Sequence, residues 1–259
     1  MQYFYTDAIE IRRLTKRRGS RTVLSALDLT VVEGEFLALT GVNGAGKTTL
    51  IRCLLNLDMP TSGRASIFGR QHTLPAAREH LAYLPENFRP PYYLNGWEFL
   101  GFMCRLHGLA LDMKRAGKIL KSLDLAPAEL QQRAERLSKG TAQKLGLAAC
   151  LLSGKKLLIL DEPLSGLDPR ARACLHDHLF ELKRRGVTCL FATHLLEDVK
   201  TLCDRVAVLH QSKLRYLGSP AACRHEFQAA TLEQAWLRCI EDGKGNSLVN
   251  GGNGKYVEN

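Results

Sequence analysis

Gly41-Val42-Asn43-Gly44-Ala45-Gly46-Lys47-Thr48 is the stretch on which the fold turns. An apolar, strand-like run (Glu35 to Thr40) leads into it, and a helical run (Thr49 to Asn56) leaves it. The spacing G-x-x-x-x-G-K-[ST] therefore stands in the strand–loop–helix setting that a phosphate-binding loop requires. Gly41, Gly44 and Gly46 lack a Cβ, so consecutive N–H groups from Asn43 and Ala45 through Thr49 are expected to converge on phosphate oxygens. The helix that opens there adds the positive end of its dipole. Lys47 would bring a point charge to the β- and γ-phosphates, and the Thr48 hydroxyl would hold Mg²⁺. The expected ligand is a nucleoside triphosphate.

Working outward, 259 residues can bury a sizeable core in one large or two smaller domains. The 45% hydrophobic and 24% charged residues are ordinary for a globular protein. No run approaches the roughly 18 apolar residues of a membrane span. Charges interrupt Met1 to Thr15 before any secretory pattern forms. None of the eight cysteines sits in a C-x-x-C pair, and Cys53, Cys150 and Cys189 lie in apolar surroundings. That pattern predicts reduced, mostly buried thiols in a cytosolic compartment. The net charge of +10 favours an anionic partner, with the densest basic cluster at Arg12, Arg13, Lys16, Arg17, Arg18 and Arg21. A charge run of this kind is usually a solvated face, and no aromatic residues interleave it as single-strand nucleic-acid platforms require.

Along the chain, Ile9 to Leu14 and Thr22 to Val32 read as strands around a Gly19-Ser20 hairpin turn. Arg64 to Phe68 and Leu81 to Leu84 read as further strands. From Phe88 to Leu152 helical spacing takes over, at Gly96 to His107, at Asp112 to Leu123, and at Lys139 to Leu152 with Ser138 as N-cap. Residues 88–152 are thus expected to be a mainly helical insertion into an α/β core. The core resumes at Leu157 to Leu160, an apolar run typical of a central parallel strand. A helix (Arg170 to Arg185), a strand (Thr188 to Ala192), a helix (Leu195 to Leu202) and a strand (Val206 to His210) follow. This alternation predicts a mainly parallel sheet covered on both faces. A helical end (Pro220 to Glu241) closes the domain at about residue 242, and the Gly/Asn-rich 243–259 is expected to be a disordered tail.

Asp161-Glu162 ends the Leu157–Leu160 run, where open parallel sheets place their ligands. Asp161 would hold Mg²⁺, and Glu162 would polarise an attacking water as general base. Between and after these motifs stand Leu137-Ser138-Lys139-Gly140-Thr141-Ala142-Gln143, Ser165-Gly166-Leu167-Asp168 and Thr193-His194. In that order the set resembles the ATP-binding cassette (ABC) ATPases over residues 8 to 240. The resemblance implies a P-loop NTPase core with an antiparallel N-terminal β subdomain, ATP hydrolysis, and a head-to-tail dimer of two such subunits around two ATP molecules. It also implies that Ser138, Lys139, Gly140 and Asp168 reach the ATP of the other subunit. His194 would contact the γ-phosphate and the water.

The sequence makes three departures from the family pattern. Lys139 and Thr141 replace residues of the usual signature segment, Leu-Ser-Gly-Gly-Gln, here residues 137–141 at the start of the 139–152 helix, as in the Ser-Lys-Gly variants of bacterial export-type cassettes. Glu86 stands where a Gln is usual, so a carboxylate approaches the Mg²⁺ and the water. Arg18 takes the place of the adenine-stacking aromatic; its guanidinium plane would stack on the base with weaker adenine selectivity.

The resemblance further implies a transporter motor on the inner face of the cell membrane, attached through a membrane-spanning permease. Residues 85–100, with Tyr92, Tyr93 and Trp97 as exposed aromatics, are the expected docking stretch. The Leu-Pro-Glu-Asn and Ser-Lys-Gly segments are also similar to ATPases serving copper-site maturation of nitrous-oxide reductase. Two alternatives remain at this point: a cassette acting on nucleic acid or the ribosome, and an ATP-binding switch with slow turnover. Nucleic acid is not the expected partner, because the double cassette, coiled coil or zinc insertion usual in such proteins is missing from the sequence.

Overall fold

The computed structural model describes residues 7–241. The expected tail at 243–259 and the first six residues lie outside them. Strands β1 (Asp7–Arg18) and β2 (Arg21–Val32) form the hairpin around Gly19-Ser20, and β3 (Phe36–Thr40) leads to the phosphate loop and helix α1 (Lys47–Leu54). Strands β4 (Ser62–Ile67), β5 (Arg70–Gln71) and β6 (Leu81–Leu84) follow. The insertion then supplies α2 (Gly96–Leu106), α3 (Met113–Ser122) and α4 (Lys139–Leu152). The remaining elements are β7 (Leu157–Asp161), α5 (Pro169–Arg184), β8 (Thr188–Ala192), α6 (Leu196–Leu202), β9 (Arg205–His210), β10 (Lys213–Gly218), α7 (Pro220–Glu226) and α8 (Leu232–Glu241).

Two sheets result. The antiparallel one has the order β2-β1-β4-β5, and the larger has the order β10-β9-β3-β8-β7-β6. In the larger sheet β9, β3, β8, β7 and β6 run parallel, and β10 pairs antiparallel with β9 at the edge. Strand β7 is interior but stands one place from the edge rather than at the centre.

The apolar runs are explained by burial on both faces. Phe36, Ala38, Leu158, Leu160, Cys189, Phe191, Val206 and Val208 face one core, which the helices from α2 onward cover. The alternate residues Leu37, Leu39, Leu157, Ile159, Leu190, Ala192, Ala207 and Leu209 face another, filled from the far side by α1 and the antiparallel sheet. The helical insertion has no separate core. Its Phe99, Leu100, Leu120, Leu145 and Ala148 belong to the same buried cluster as the sheet's Leu158 and Leu160. All eight cysteines are free, and all but the half-buried Cys174 are buried. Among the described residues no helix is long and apolar enough to cross a membrane.

The register brings the chemistry to one edge. Asp161 at the end of β7 pairs with Ala192 at the end of β8, and Leu39 of β3 pairs with the same Ala192. The three loops that follow these strands therefore leave side by side at their carboxyl ends, where an α/β sheet opens a crevice.

Candidate nucleotide site

A cavity of about 360 Å³ opens there, lined by Asn43, Gly44, Gly46, Lys47, Thr48, Thr49, Glu86, Asp161, Glu162, Ser165 and His194. The loop's path depends on two glycines. A Cβ on Gly41 would lie 2.3 Å from the Leu209 carbonyl oxygen. Gly46 has φ of +112°, and a Cβ there would lie 2.7 Å from Leu24 Cδ2. Either contact would push the loop off β9 or the hairpin. Gly46 caps α1 with no side-chain hydrogen bond, so the first-turn N–H groups are left for a ligand. Lys47 is buried, and its Nζ donates to the Gly41 carbonyl at 2.8 Å, which folds the cation back over the loop.

Asp161 joins the loop to the sheet. Its Oδ2 accepts from Thr48 Oγ1 at 2.9 Å, the residue is 1% exposed, and Oδ1 is buried without a hydrogen-bond partner. Burial pushes its carboxyl up to about 6; Glu86 and Glu162 add to the rise, and the Thr48 hydroxyl and Lys47 oppose it. A buried carboxylate oxygen with no donor, beside a hydroxyl and two further carboxylates, is a hard-oxygen set that fits Mg²⁺.

Glu162 is held in a conformation rare for a residue with a side chain, at φ of +51°. Such backbone costs on the order of 1–3 kcal/mol and persists only where its surroundings fix it. Here its N–H donates to the Ala192 carbonyl at 2.8 Å, and its carbonyl accepts from Ser165 at 3.1 Å. The turn aims the side chain at His194, whose Nδ1 lies 2.9 Å from Glu162 Oε2. The carboxylate is buried, and the imidazole is half exposed to the cavity.

The cavity thus gathers Asn43, Gly44, Gly46, Lys47, Thr48, Thr49, Glu86, Asp161, Glu162 and His194 from the expected set. The buried Ala45 packs into the sheet-side core instead, while its N–H bonds to the Val42 carbonyl. Gly41 at the foot of the loop and five expected residues from elsewhere in the chain also lie outside the cavity. Ser138 caps α4, its Oγ accepting from the Thr141 N–H at 3.1 Å, and both it and Lys139 are exposed. Gly140 sits against the loop at Gly166, with a virtual Cβ 3.6 Å from that carbonyl oxygen. Asp168 caps α5 through the Ala171 N–H at 2.9 Å. Arg18 also lies apart, its Nη2 held 3.0 Å from Asp58 Oδ2, with Lys16 on the other oxygen of the same carboxylate. Sequence reasoning passed over Ser165 as a lining residue. Its place three after Glu162, in a segment with a Gly and an Asp, was the available signal.

A glycine loop shaped for phosphates, an acidic pair at the end of the next strand but one in the sheet, and a histidine just past the strand between them define a P-loop nucleoside triphosphatase of cassette type. Residues 24–165 match the family described as ABC transporter. The chain is 38% identical over 210 residues to the uncharacterized ABC transporter ATP-binding protein YdbJ of Bacillus subtilis, covering 80% of this chain and 68% of that one. It is 36% identical over 222 residues to a Nod factor export ATP-binding protein I of Burkholderia lata (83% and 71% covered). It is 33% identical over 222 residues to the spermidine/putrescine import ATP-binding protein PotA of Roseobacter denitrificans (84% and 61% covered). A solved structure of the ATP-binding subunit of an ABC transporter superposes with a TM-score of 0.79 at 28% identity, covering 90% of this chain and 99% of that one. The chain belongs to the ATP-binding proteins of ABC transporters and is an ABC ATPase.

Proposed function

We propose that this chain is the motor subunit of an ABC transporter, closing in pairs around ATP and passing that motion to a separate membrane-spanning permease. The observation that carries the reading is the Thr48–Asp161–Glu162–His194 chain of contacts beneath an open helix N-terminus. In this reading the N–H groups of Asn43, Gly44 and residues 46–49 and the Lys47 ammonium hold the β- and γ-phosphates. Thr48 and Asp161, with Glu86 beside them, would hold Mg²⁺, which would supply charge neutralisation to the phosphates. Glu162 orients a water in line with the γ-phosphorus and takes its proton as the new P–O bond forms. The bond to the bridging oxygen breaks, and ADP leaves with the electron pair. His194 holds the Glu162 carboxylate in place and faces the γ-phosphate from the half-exposed side of the cavity.

Ser138, Lys139, Gly140 and Asp168 stand exposed or half-exposed outside the cavity, and we assign them to the ATP of a second copy. The permease reading draws support from Tyr92 and Tyr93, 70% and 61% exposed and stacked edge to face at 5.3 Å, with the exposed Phe102 and Leu106 further along α2. Trp97 does not join them. It is half-buried against the core, and its Nε1 donates to the Pro127 carbonyl at 3.3 Å. The Ser-Lys-Gly start of the signature segment supports an export-type motor, working on the cytoplasmic face of the membrane. Glu162→Gln tests the assignment in steady-state ATPase assays: kcat should fall by about 10²–10⁴ while ATP affinity holds. Equal turnover in the two proteins, with the permease present, would contradict it.

A further inference from the structure

The first two turns of α4 and the loop after Glu162 are in contact within one chain, and Lys144 is where that contact becomes ionic. Gly140 lies against the Gly166 carbonyl. One turn later on the same helix face, Lys144 Nζ stands 3.0 Å from the Asp124 carbonyl oxygen and 3.6 Å from Asp168 Oδ2. The Lys144 side chain is 13% exposed, so its stem is packed, while its ammonium meets the half-exposed Asp168 at the rim. Asp168 spends Oδ1 on the Ala171 N–H and keeps Oδ2 for the lysine. Asp124, at φ of +49°, is the turn residue after α3, and Arg170 of α5 reaches its carboxylate at 3.9 Å. The segment from Glu162 to Asp168 also carries Ser165, which lines the nucleotide cavity.

We propose that Lys144 is a positioning residue that ties the turn after α3 in the helical insertion to Asp168, so that movement of the insertion moves Asp168 relative to the nucleotide site. The contact joins three places: the insertion at Asp124, the signature helix at Lys144, and the loop leaving Glu162 at Asp168. None of these groups touches the cavity floor, so the tether acts on the outer rim and leaves the phosphate loop alone. Both bonds of Lys144 are single contacts from a point charge, so an arginine would serve in its place and an uncharged side chain of similar length would not. The consequence for dimer closure rests on the paired-subunit reading above, whereas the tether itself does not.

The test compares Lys144→Met and Lys144→Arg in the Glu162→Gln background. With ATP and Mg²⁺, sedimentation should show Lys144→Met weakening the dimer about tenfold, within the ordinary range of coupling between sites. ATP binding to the monomer, read with a fluorescent ATP analogue, should be unchanged, and Lys144→Arg should restore the dimer. A Lys144→Met protein that dimerises as tightly as its parent overturns the proposal. Amide hydrogen exchange on the nucleotide-free protein reads the tether without any dimer. Lys144→Met should raise exchange at 123–126 and at 165–170 together, with recovery in Lys144→Arg, and unchanged exchange at both segments overturns the proposal. A parent that stays monomeric with normal exchange behaviour in the Lys144 series would reject the paired-subunit reading and leave the tether standing.

Discussion

In the phosphate-loop region Lys47, Asp161 and Glu162 are buried and bonded within the chain to Gly41, Thr48 and His194. In the signature region Ser138 and Lys139 are exposed, Asp168 faces solvent, and their polar atoms serve only as caps for their own helices or as a partner for Lys144. The first region pays for its readiness in strain and in repulsion, at Glu162 and Asp161. The second carries no such cost. Preorganised charge belongs where bonds are made and broken, and the signature region has the character of a surface that meets something. The contrast is what a site divided between two copies would show: one wall complete within the chain, the other finished only on contact.

The largest expected effect is on the complete wall. Lys47→Ala should weaken ATP binding by about 3 kcal/mol, roughly 100-fold, measured by calorimetry on the monomer. An equally large loss from changing Lys139 would erase the distinction between the walls.

A smaller effect follows from Asp161. Its carboxyl sits at about 6 against an ordinary 3.8, so burial penalises its ionised form. The fold therefore gains from the protonated form at low pH and loses that stability as pH rises through about 6. Mg²⁺ takes the ionised form, so a proton must leave before the cation enters. Mg²⁺-dependent ATP affinity should be flat well above pH 6 and fall roughly tenfold per pH unit below it. Asp161→Asn should remove both this pH dependence and the gain in ATP affinity that Mg²⁺ brings. A profile flat to pH 5 would show that Asp161 does not hold the cation.

Much of this was legible in the sequence because the decisive signals are local. The glycine spacing, the cap at Ser138 and the two-faced apolar runs each depend on neighbours a few residues apart, and the strands and helices formed where those signals stood. The strand β10 (Lys213–Gly218) was not anticipated. Its charged residues at 213 and 215 alternate with Leu214 and Tyr216, and it is stabilised by pairing with β9 at the sheet edge, a tertiary contact that a short segment does not announce. Trp97 read as an exposed aromatic because its residue type is common at interfaces, yet its indole fills the seam between α2 and the 127 turn. Lys144 was invisible for a related reason. It is an ordinary lysine on a helix, and its partners at Asp124 and Asp168 lie 20 and 24 residues away in the chain.

The divided site is tested most directly by light scattering on the Glu162→Gln protein with and without ATP and Mg²⁺. A mass that doubles with nucleotide, and returns to the monomer when Ser138 is replaced by a bulky residue, is the predicted result. A protein that binds ATP and remains a monomer at every concentration examined would contradict the account.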